Sequence, residues 1–279
     1  MELGTIVVTG ANGQVGQRLL LALQGKCDQV IALVRKPAEL TATKVISNWI
    51  NSPEAKVAIA QADAVVHLAG TLKPKQGNYI GANLKPTEVF VSALTQQTKQ
   101  LVFLSYLGAS EQSSNAYLST KAKAERLLRT SGIPLTVFRC SHIIGSPERP
   151  GATAQSLLSQ NGKAIMVLGS GHQQVMPVYI DDVVSAIVAA LQKKQQGVFN
   201  LVGPDCLSID ELVKLLNGSD SVKVTHLPPI VAKGLAWVTP TLPSALVDVM
   251  LKDSIGDSQE VKETFNLQLT PLAKVWSAT

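Results

Sequence analysis

Apolar residues in this chain fall into short continuous runs. Longer segments separate the runs, and there the apolar positions recur every three or four residues. The runs Thr5–Thr9, Val30–Val34, Ala64–Leu68, Leu101–Leu104 and Leu135–Arg139 are rich in β-branched residues and show no polar alternation. That is the pattern of parallel strands covered on both faces. Val15–Gln24, Pro53–Gln61, Thr87–Gln97 and Tyr117–Ser131 are amphipathic at helical spacing. Strands alternating with helices predict an α/β fold with a doubly wound, mostly parallel sheet. After Arg139 the pattern changes. Ser146–Gly171 is rich in Gly, Ser and Pro, Asp181–Lys193 and Val198–Val202 read as one more helix and strand, and short helices with prolines dominate from Cys206 onward.

The first strand runs directly into Gly10-Ala11-Asn12-Gly13-Gln14-Val15-Gly16, which opens a helix. Glycines at this spacing permit a tight turn (Gly10), a close approach of backbone amides to a pyrophosphate (Gly13) and close helix–strand packing (Gly16). The helix N-terminus then presents its partial positive charge to the phosphates. The second strand ends in Arg35-Lys36, with no acid between Asp28 and Glu39. A carboxylate here would accept the ribose hydroxyls of NAD, whereas Arg35 can grip a 2′-phosphate with two parallel hydrogen bonds. The expected cofactor is therefore NADP(H). Residues 1–145 and 175–204 are expected to form a dinucleotide-binding Rossmann domain. Residues 146–174 and 205–279 are expected to form a small, mainly C-terminal, substrate-side subdomain.

Composition narrows the partners. Of 279 residues, 46% are apolar and 16% charged, which allows a large core and a partly apolar surface. Net charge is +5, but no Lys/Arg run occurs and only 4% of residues are aromatic, so no nucleic-acid partner is expected. Cys27, Cys140 and Cys206 are odd in number and widely spaced, which suggests neither a disulfide framework nor a metal site. A reducing, cytoplasmic location is expected, with no signal peptide, since the N-terminus enters a strand at once. Leu227–Leu251 is strongly apolar but contains Lys233, Asp248 and Pro228, Pro229, Pro240 and Pro243. It reads as packed helices or a lid over a substrate, not a transmembrane span.

Tyr117-Leu118-Ser119-Thr120-Lys121 opens the helix after the fifth strand, and positions i and i+4 share a helix face. The lysine ammonium would favour the phenolate, lowering the tyrosine pKa and suiting Tyr117 as general acid toward a carbonyl oxygen. Lys121 would also hold the nicotinamide ribose. Asp63-Ala64-Val65-Val66-His67-Leu68-Ala69-Gly70, Phe103-Leu104-Ser105 and Val178-Tyr179-Ile180-Asp181-Asp182-Val183 complete a recognisable set. With the glycine loop and Tyr117…Lys121, they resemble the extended or atypical short-chain dehydrogenases/reductases over most of the chain. Ser105-Tyr106-Leu107-Gly108-Ala109 and the tail Met250-Leu251-Lys252-Asp253-Ser254 are most similar to the branch containing the nucleotide-binding accessory subunit of respiratory complex I.

The resemblance implies cofactor contacts from Gly10, Asn12, Gly13, Gln14, Val15, Gly16, Arg35, Lys36, Asn48, Trp49, Leu68, Ala69, Gly70, Tyr117, Lys121, Cys140 and Ser141. It implies a catalytic set of Tyr117, Lys121 and Ser105. Three positions depart from the family pattern. Tyr106 stands where a second serine is usual, Asn48 where an Asp is frequent, and Cys140 where Pro follows the strand arginine. His142 reads either as an alternative proton donor or as a histidine satisfying backbone groups. His67 reads as structural, and Asn83 as a support beneath the site. Two functions remain open: an NADP(H)-dependent oxidoreductase acting on an apolar carbonyl, hydroxyl or quinone-like substrate, and a non-catalytic NADP(H)-binding module of a protein complex. Peripheral association with a membrane stays open in either case.

Overall fold

The structure is a computed structural model that describes residues 3–218, 222–238 and 242–277. The first half runs β1 (Leu3–Thr9), α1 (Gln14–Ala22), β2 (Cys27–Leu33), β3 (Lys44–Ile46), α2 (Pro53–Gln61), β4 (Ala64–His67), α3 (Lys85–Val91), β5 (Gln100–Tyr106), α4 (Ala116–Arg129) and β6 (Leu135–Cys140). The second half adds β7 (Ile143–Ile144), α5 (Gly151–Ser156), β8 (Ile165–Leu168), β9 (Gln174–Val175), β10 (Val178–Tyr179), α6 (Ile180–Lys193), β11 (Gly197–Leu201), β12 (Leu207–Ser208), α7 (Ile209–Asn217), β13 (Val224–Leu227), α8 (Pro229–Val238), α9 (Ser244–Met250), α10 (Gln259–Phe265) and α11 (Leu272–Trp276). Pro240, one of the four prolines noted in the sequence, lies outside the described residues.

Seven strands form an all-parallel sheet in the order β11-β6-β5-β4-β1-β2-β3. Its strands carry apolar residues on both faces because helices cover both. In β1, Ile6 and Val8 enter one core with Leu19 and Leu20 of α1 and Val183 and Ile187 of α6. Val7 points the other way, to Ile59 of α2, Trp49 and Phe90. The same two-residue period sends Phe103 of β5 to the second core and Val102 to the first.

Two elements differ from the hydropathy pattern. β3 has only three residues, too few to register as a run. The helix expected over Thr87–Gln97 spans Lys85–Val91 instead and is entered through a π-helical turn at Ile80–Leu84. Pro86 lies in the first turn of α3, where its fixed φ suits the helix. Past Val91, Thr95 Oγ1 donates 2.6 Å to the Ala60 carbonyl, and the chain turns toward β5.

A third core joins Ile144, Ile165, Val167 and Val175 to Leu212 and Leu216 of α7 and Leu272 and Trp276 of α11. It is framed by the two-stranded pairs β7–β10, β8–β13 and β9–β12. Helix α10 packs elsewhere: its Val261 and Phe265 join the sheet-side core beside α6 and β11. Among the described residues no helix is long and apolar enough to cross a membrane.

Candidate functional site

Strand β1 lies between β4 and β2, so the chain leaves the sheet centre in opposite directions at its carboxyl end. In doubly wound sheets that switch point opens a crevice. Here it is a cleft of about 130 Å³, walled by Gly10, Asn12, Gly13, Arg35, Trp49, Leu68, Ala69 and Gly70 from the expected set. Leu33, Ile50, Thr71, Gly81, Ala82 and Pro86 complete it, and sequence reasoning missed all six. Gly81 and Ala82 reach the cleft from the π-helical turn, which leaves no periodic signal.

The glycine collar is tight. Gly10 has φ +67, and a Cβ there would lie 2.8 Å from the Leu68 carbonyl carbon. A Cβ on Gly16 would lie 2.5 Å from the Gly10 carbonyl oxygen. Gly13 caps α1 and donates 2.9 Å to Gly10 O. No acidic residue stands in the first turn of α1. The collar brings backbone amides and a helix N-terminus to the cleft with no side chain between, which fits a pyrophosphate.

Under the floor a relay of hydrogen bonds fixes β4. Thr87 Oγ1 donates to the Asn83 carbonyl at 3.0 Å, so it accepts from His67 Nε2 at 2.9 Å. His67 Nδ1 then accepts from Thr9 Oγ1 at 2.8 Å, and Thr9 Oγ1 accepts from Ala69 N–H at 3.2 Å. This chain assigns the neutral Nε2–H tautomer. The ring stacks between Phe90 and Phe103, and burial pushes its pKa down to about 3. His67 is therefore a neutral structural residue. Asn83 accepts from Thr71 N–H (2.8 Å) and donates to Thr71 O (3.2 Å), and so shapes the loop after β4.

The Tyr–Lys pair sits at the carboxyl end of β5. Asn115 caps α4 by accepting from the Tyr117 and Leu118 amides, while its Nδ2 donates 2.9 Å to Ala245 O of α9. Lys121 Nζ donates 2.5 Å to Leu104 O and lies 4.1 Å over the Phe103 ring. Burial lowers its pKa to about 8. The ammonium sits just below the cleft floor, since a Cβ on Gly70 would come within 3.8 Å of it. Tyr117 is 9% exposed and packs with Tyr79, Ala245 and Val249. The expected lowering of its pKa does not occur: burial, then the neighbouring Tyr106, pushes the phenol far up. At neutral pH it is a protonated donor.

Ser105 corrects a second expectation. Its Oγ donates 2.5 Å to Glu125 Oε1, and Arg139 closes a bidentate pair on the same carboxylate at 3.0 and 2.7 Å. Glu125 is 1% exposed, so the buried charge needs all these donors. Ser105 is thus turned to the helix side, away from the cleft. Tyr106, next along the strand, takes the opposite face, in edge contact with Tyr117 at 5.4 Å.

Other expected contacts also lie off the cleft wall. Val15 and Cys140 are core residues. The Gln14 side chain lies against Gly151 in a separate crevice with Arg18 and Tyr179. Ser141 Oγ is spent on the Met176 carbonyl. Asn48 is left-handed at φ 48, with its Oδ1 accepting from Asn51. Lys36 is exposed.

Thr71 also lines a second, larger cavity of about 460 Å³. Its walls are mostly apolar: Leu72, Leu157, Val167, Leu168, Leu212 and Leu227, with Leu242, Leu246 and Met250 contributed by the stretch expected to act as a roof. His142 is in the wall, and Lys73 is its one charged residue among those described. Among the described residues no His/Cys/Asp/Glu group could hold a metal ion.

A switch-point cleft with a glycine collar, and a Tyr–Lys pair beneath its floor, defines a dinucleotide-binding α/β protein of the Rossmann type. The NAD dependent epimerase/dehydratase family profile matches residues 6–202, and the chain belongs to that family. It is 24% identical over 243 residues to the mitochondrial NADH dehydrogenase (ubiquinone) 1 alpha subcomplex subunit 9 of Arabidopsis thaliana, covering 84% of this chain and 57% of that protein. It is 25% identical over 204 residues to a UDP-N-acetyl-alpha-D-glucosaminuronate decarboxylase of Bacillus cytotoxicus, covering 61% and 64%. The chain thus spans less than two thirds of these two relatives. An uncharacterized sugar epimerase of Bacillus subtilis is 25% identical, with 75% of this chain and 99% of that protein covered. Among solved structures, UDP-glucuronic acid 4-epimerase from Bacillus cereus, in complex with UDP-glucuronic acid and NAD, superposes with a TM-score of 0.77 at 20% identity, covering 98% and 97%. These structures share the fold.

Proposed function

We propose that this chain is an NADP(H)-dependent oxidoreductase acting on an apolar carbonyl, hydroxyl or quinone-like substrate. The observation that carries this reading is the 460 Å³ apolar cavity, which adjoins the dinucleotide cleft through Thr71. The phosphates of a sugar diphosphate, the substrate type named for several relatives, are commonly met by cationic side chains or helix N-termini. Lys73 is the one such cation among the described wall residues. Arg35 is the charged residue of the cleft wall, and no acid accompanies it among those described, which favours a 2′-phosphate.

The α1 N-terminus with Gly10 and Gly13 would hold the pyrophosphate, Arg35 the 2′-phosphate, and Lys121 the nicotinamide-side ribose from below. The bound nicotinamide would supply or accept a hydride. The chain's own contribution would be a protonated donor, Tyr117, and a mostly apolar cavity wall. Titration with both nucleotides tests the cofactor: NADPH is expected to bind at least tenfold tighter than NADH. Arg35→Glu should weaken NADPH by about ten- to a hundredfold, the worth of a charge-assisted contact. Equal NADH affinity in the unsubstituted protein overturns the NADP assignment. Turnover is read as NADPH consumption with decanal, 2-undecanone and decylubiquinone.

A second reading, a cofactor-binding subunit of a protein complex, is favoured by Ser105 being engaged with Glu125 and by Tyr117 being nearly covered. Tight NADPH binding without turnover across that panel would select it. For the enzyme, Tyr117→Phe should abolish turnover and leave NADPH affinity intact.

A further inference from the structure

Polar side chains hold three consecutive residues of the loop after β4. Thr71 meets Asn83, which is 2% exposed, through both its N–H (2.8 Å) and its carbonyl (3.2 Å). The Leu72 carbonyl accepts from the Tyr79 hydroxyl at 3.0 Å, and Lys73 N–H donates to Thr71 Oγ1 at 3.1 Å. Pro74, which follows, is buried and has a fixed φ. Two buried polar side chains, Asn83 and Tyr79, thus fix this short segment. Lys73 is carried with it as part of the wall of the 460 Å³ cavity, yet stays exposed, so its ammonium stands at a mouth of that cavity. Among the described wall residues it is the one charged side chain, and no acid accompanies it. The interior is hydrocarbon: Val167 and Leu212 of the wall belong to the third core and are 2% and 1% exposed.

We propose that this cavity takes a single-chain carboxylate, with the anionic head on Lys73 and the hydrocarbon tail in the interior. A cavity of about 460 Å³ lies within the roughly 300–1,000 Å³ typical of small-molecule sites. A carboxylate leaves water at a large cost unless a cation meets it, and a lysine at the mouth meets it while both heads keep water. One ammonium balances one carboxylate. A phosphate monoester carries roughly 1.5 to 2 negative charges and would be left partly unpaired. Thr71, two residues before Lys73, lines the dinucleotide cleft as well as the cavity. The head is therefore held at the cofactor end. The ligand class becomes a carboxylate whose oxo or hydroxyl group lies within the first few carbons of the head, with an apolar tail beyond. Lys73 is then a specificity-determining residue. This narrows, and rests on, the reading of the cavity as the substrate site.

The test separates the two ideas. Calorimetry on the full chain with saturating NADPH compares octanoate with octanol, which share one tail. A wall without a cation favours the alcohol, because a carboxylate gives up more hydration. Here octanoate is expected to bind about fivefold tighter, the upper range for an ion pair open to solvent, and to lose most of that margin in high salt. Lys73→Met keeps an unbranched side chain on the wall and should abolish or reverse the preference. An unchanged thermal unfolding midpoint is the control for folding. Tighter binding of octanol by the unsubstituted protein, or an octanoate preference that survives Lys73→Met, overturns the proposal. Failure of both probes to bind the folded protein overturns the underlying reading of the cavity.

Discussion

Lys121 shows how a single residue divides stability from binding. The folded protein holds a buried ammonium whose pKa has dropped from 10.5 to about 8. The unfolded chain therefore takes up this proton more readily than the folded one. At neutral pH the folded state carries the whole penalty, about 3 kcal/mol at 1.36 kcal/mol per pKa unit. That figure is already net of the attraction of Glu125, and the ammonium also donates to Leu104 O. Lys121→Met removes the penalty, keeps the apolar stem over Phe103 and leaves one carbonyl unmet, at a cost of about 1–3 kcal/mol. The expected outcome is an unfolding free energy equal to or about 1 kcal/mol above that of the parent, with NADPH affinity about tenfold weaker. Urea unfolding and a nucleotide titration check both numbers. A large loss of stability would mean that Lys121 is a structural residue.

Among the elements, the collar around α1 and the cap of α7 make a matched comparison. A methyl group at Gly16 meets the backbone carbonyls of Gly10 and Ala11 at 2.5 and 2.6 Å, and backbone cannot step aside. Gly16→Ala should cost about 2–3 kcal/mol, the range for overpacking, and abolish nucleotide binding. The α7 capping box joins Ser208 and Glu211 far from the cleft. Ser208→Ala should cost about 1 kcal/mol and leave NADPH binding untouched. Comparison of the two by thermal unfolding and titration separates a loop built for a ligand from a helix end built for the fold.

The same contrast explains what the sequence discloses. The collar was legible because backbone collisions restrict Gly10 and Gly16 to glycine, which marks the sequence at fixed spacing. The sheet was legible because burial on both faces writes continuous apolar runs. The orientation of Ser105 was not legible. The two-residue period places Ser105 and Tyr106 on opposite faces, but which faces the cleft depends on Glu125 and Arg139, brought together only by packing. Asn115 under α9 and the Tyr106–His142 contact are likewise products of tertiary register, 130 and 36 residues apart.

At the scale of the whole molecule, the cleft and the cavity depend on histidines that fold neutral. His67 supports the cleft floor between Thr9 and Thr87, and His142 stands in the cavity wall. Burial lowers their pKa values from 6.5 to about 3 and about 4. Well above pH 6.5 both rings are neutral in the folded and the unfolded chain, and neither affects the balance. As pH falls from 6.5 toward 5 the unfolded chain binds two protons that the folded protein refuses, so stability is lost with acid. The slope should approach two protons, about 2–3 kcal/mol per pH unit at full effect. Lowered carboxylates such as Asp181, held down chiefly by Arg18, act in the same direction, and Asp182, raised chiefly by burial, opposes them. The comparison with His142→Leu therefore isolates the imidazole's share of the slope between pH 6.5 and 5. Denaturant unfolding at pH 7, 6 and 5 should show the free energy falling, and His142→Leu should roughly halve the slope because one of the two refused protons is gone. A stability unchanged across that window would mean that the rings gain solvent or a charged partner on protonation. The cleft floor and the cavity wall would then be far less rigid than their packing implies.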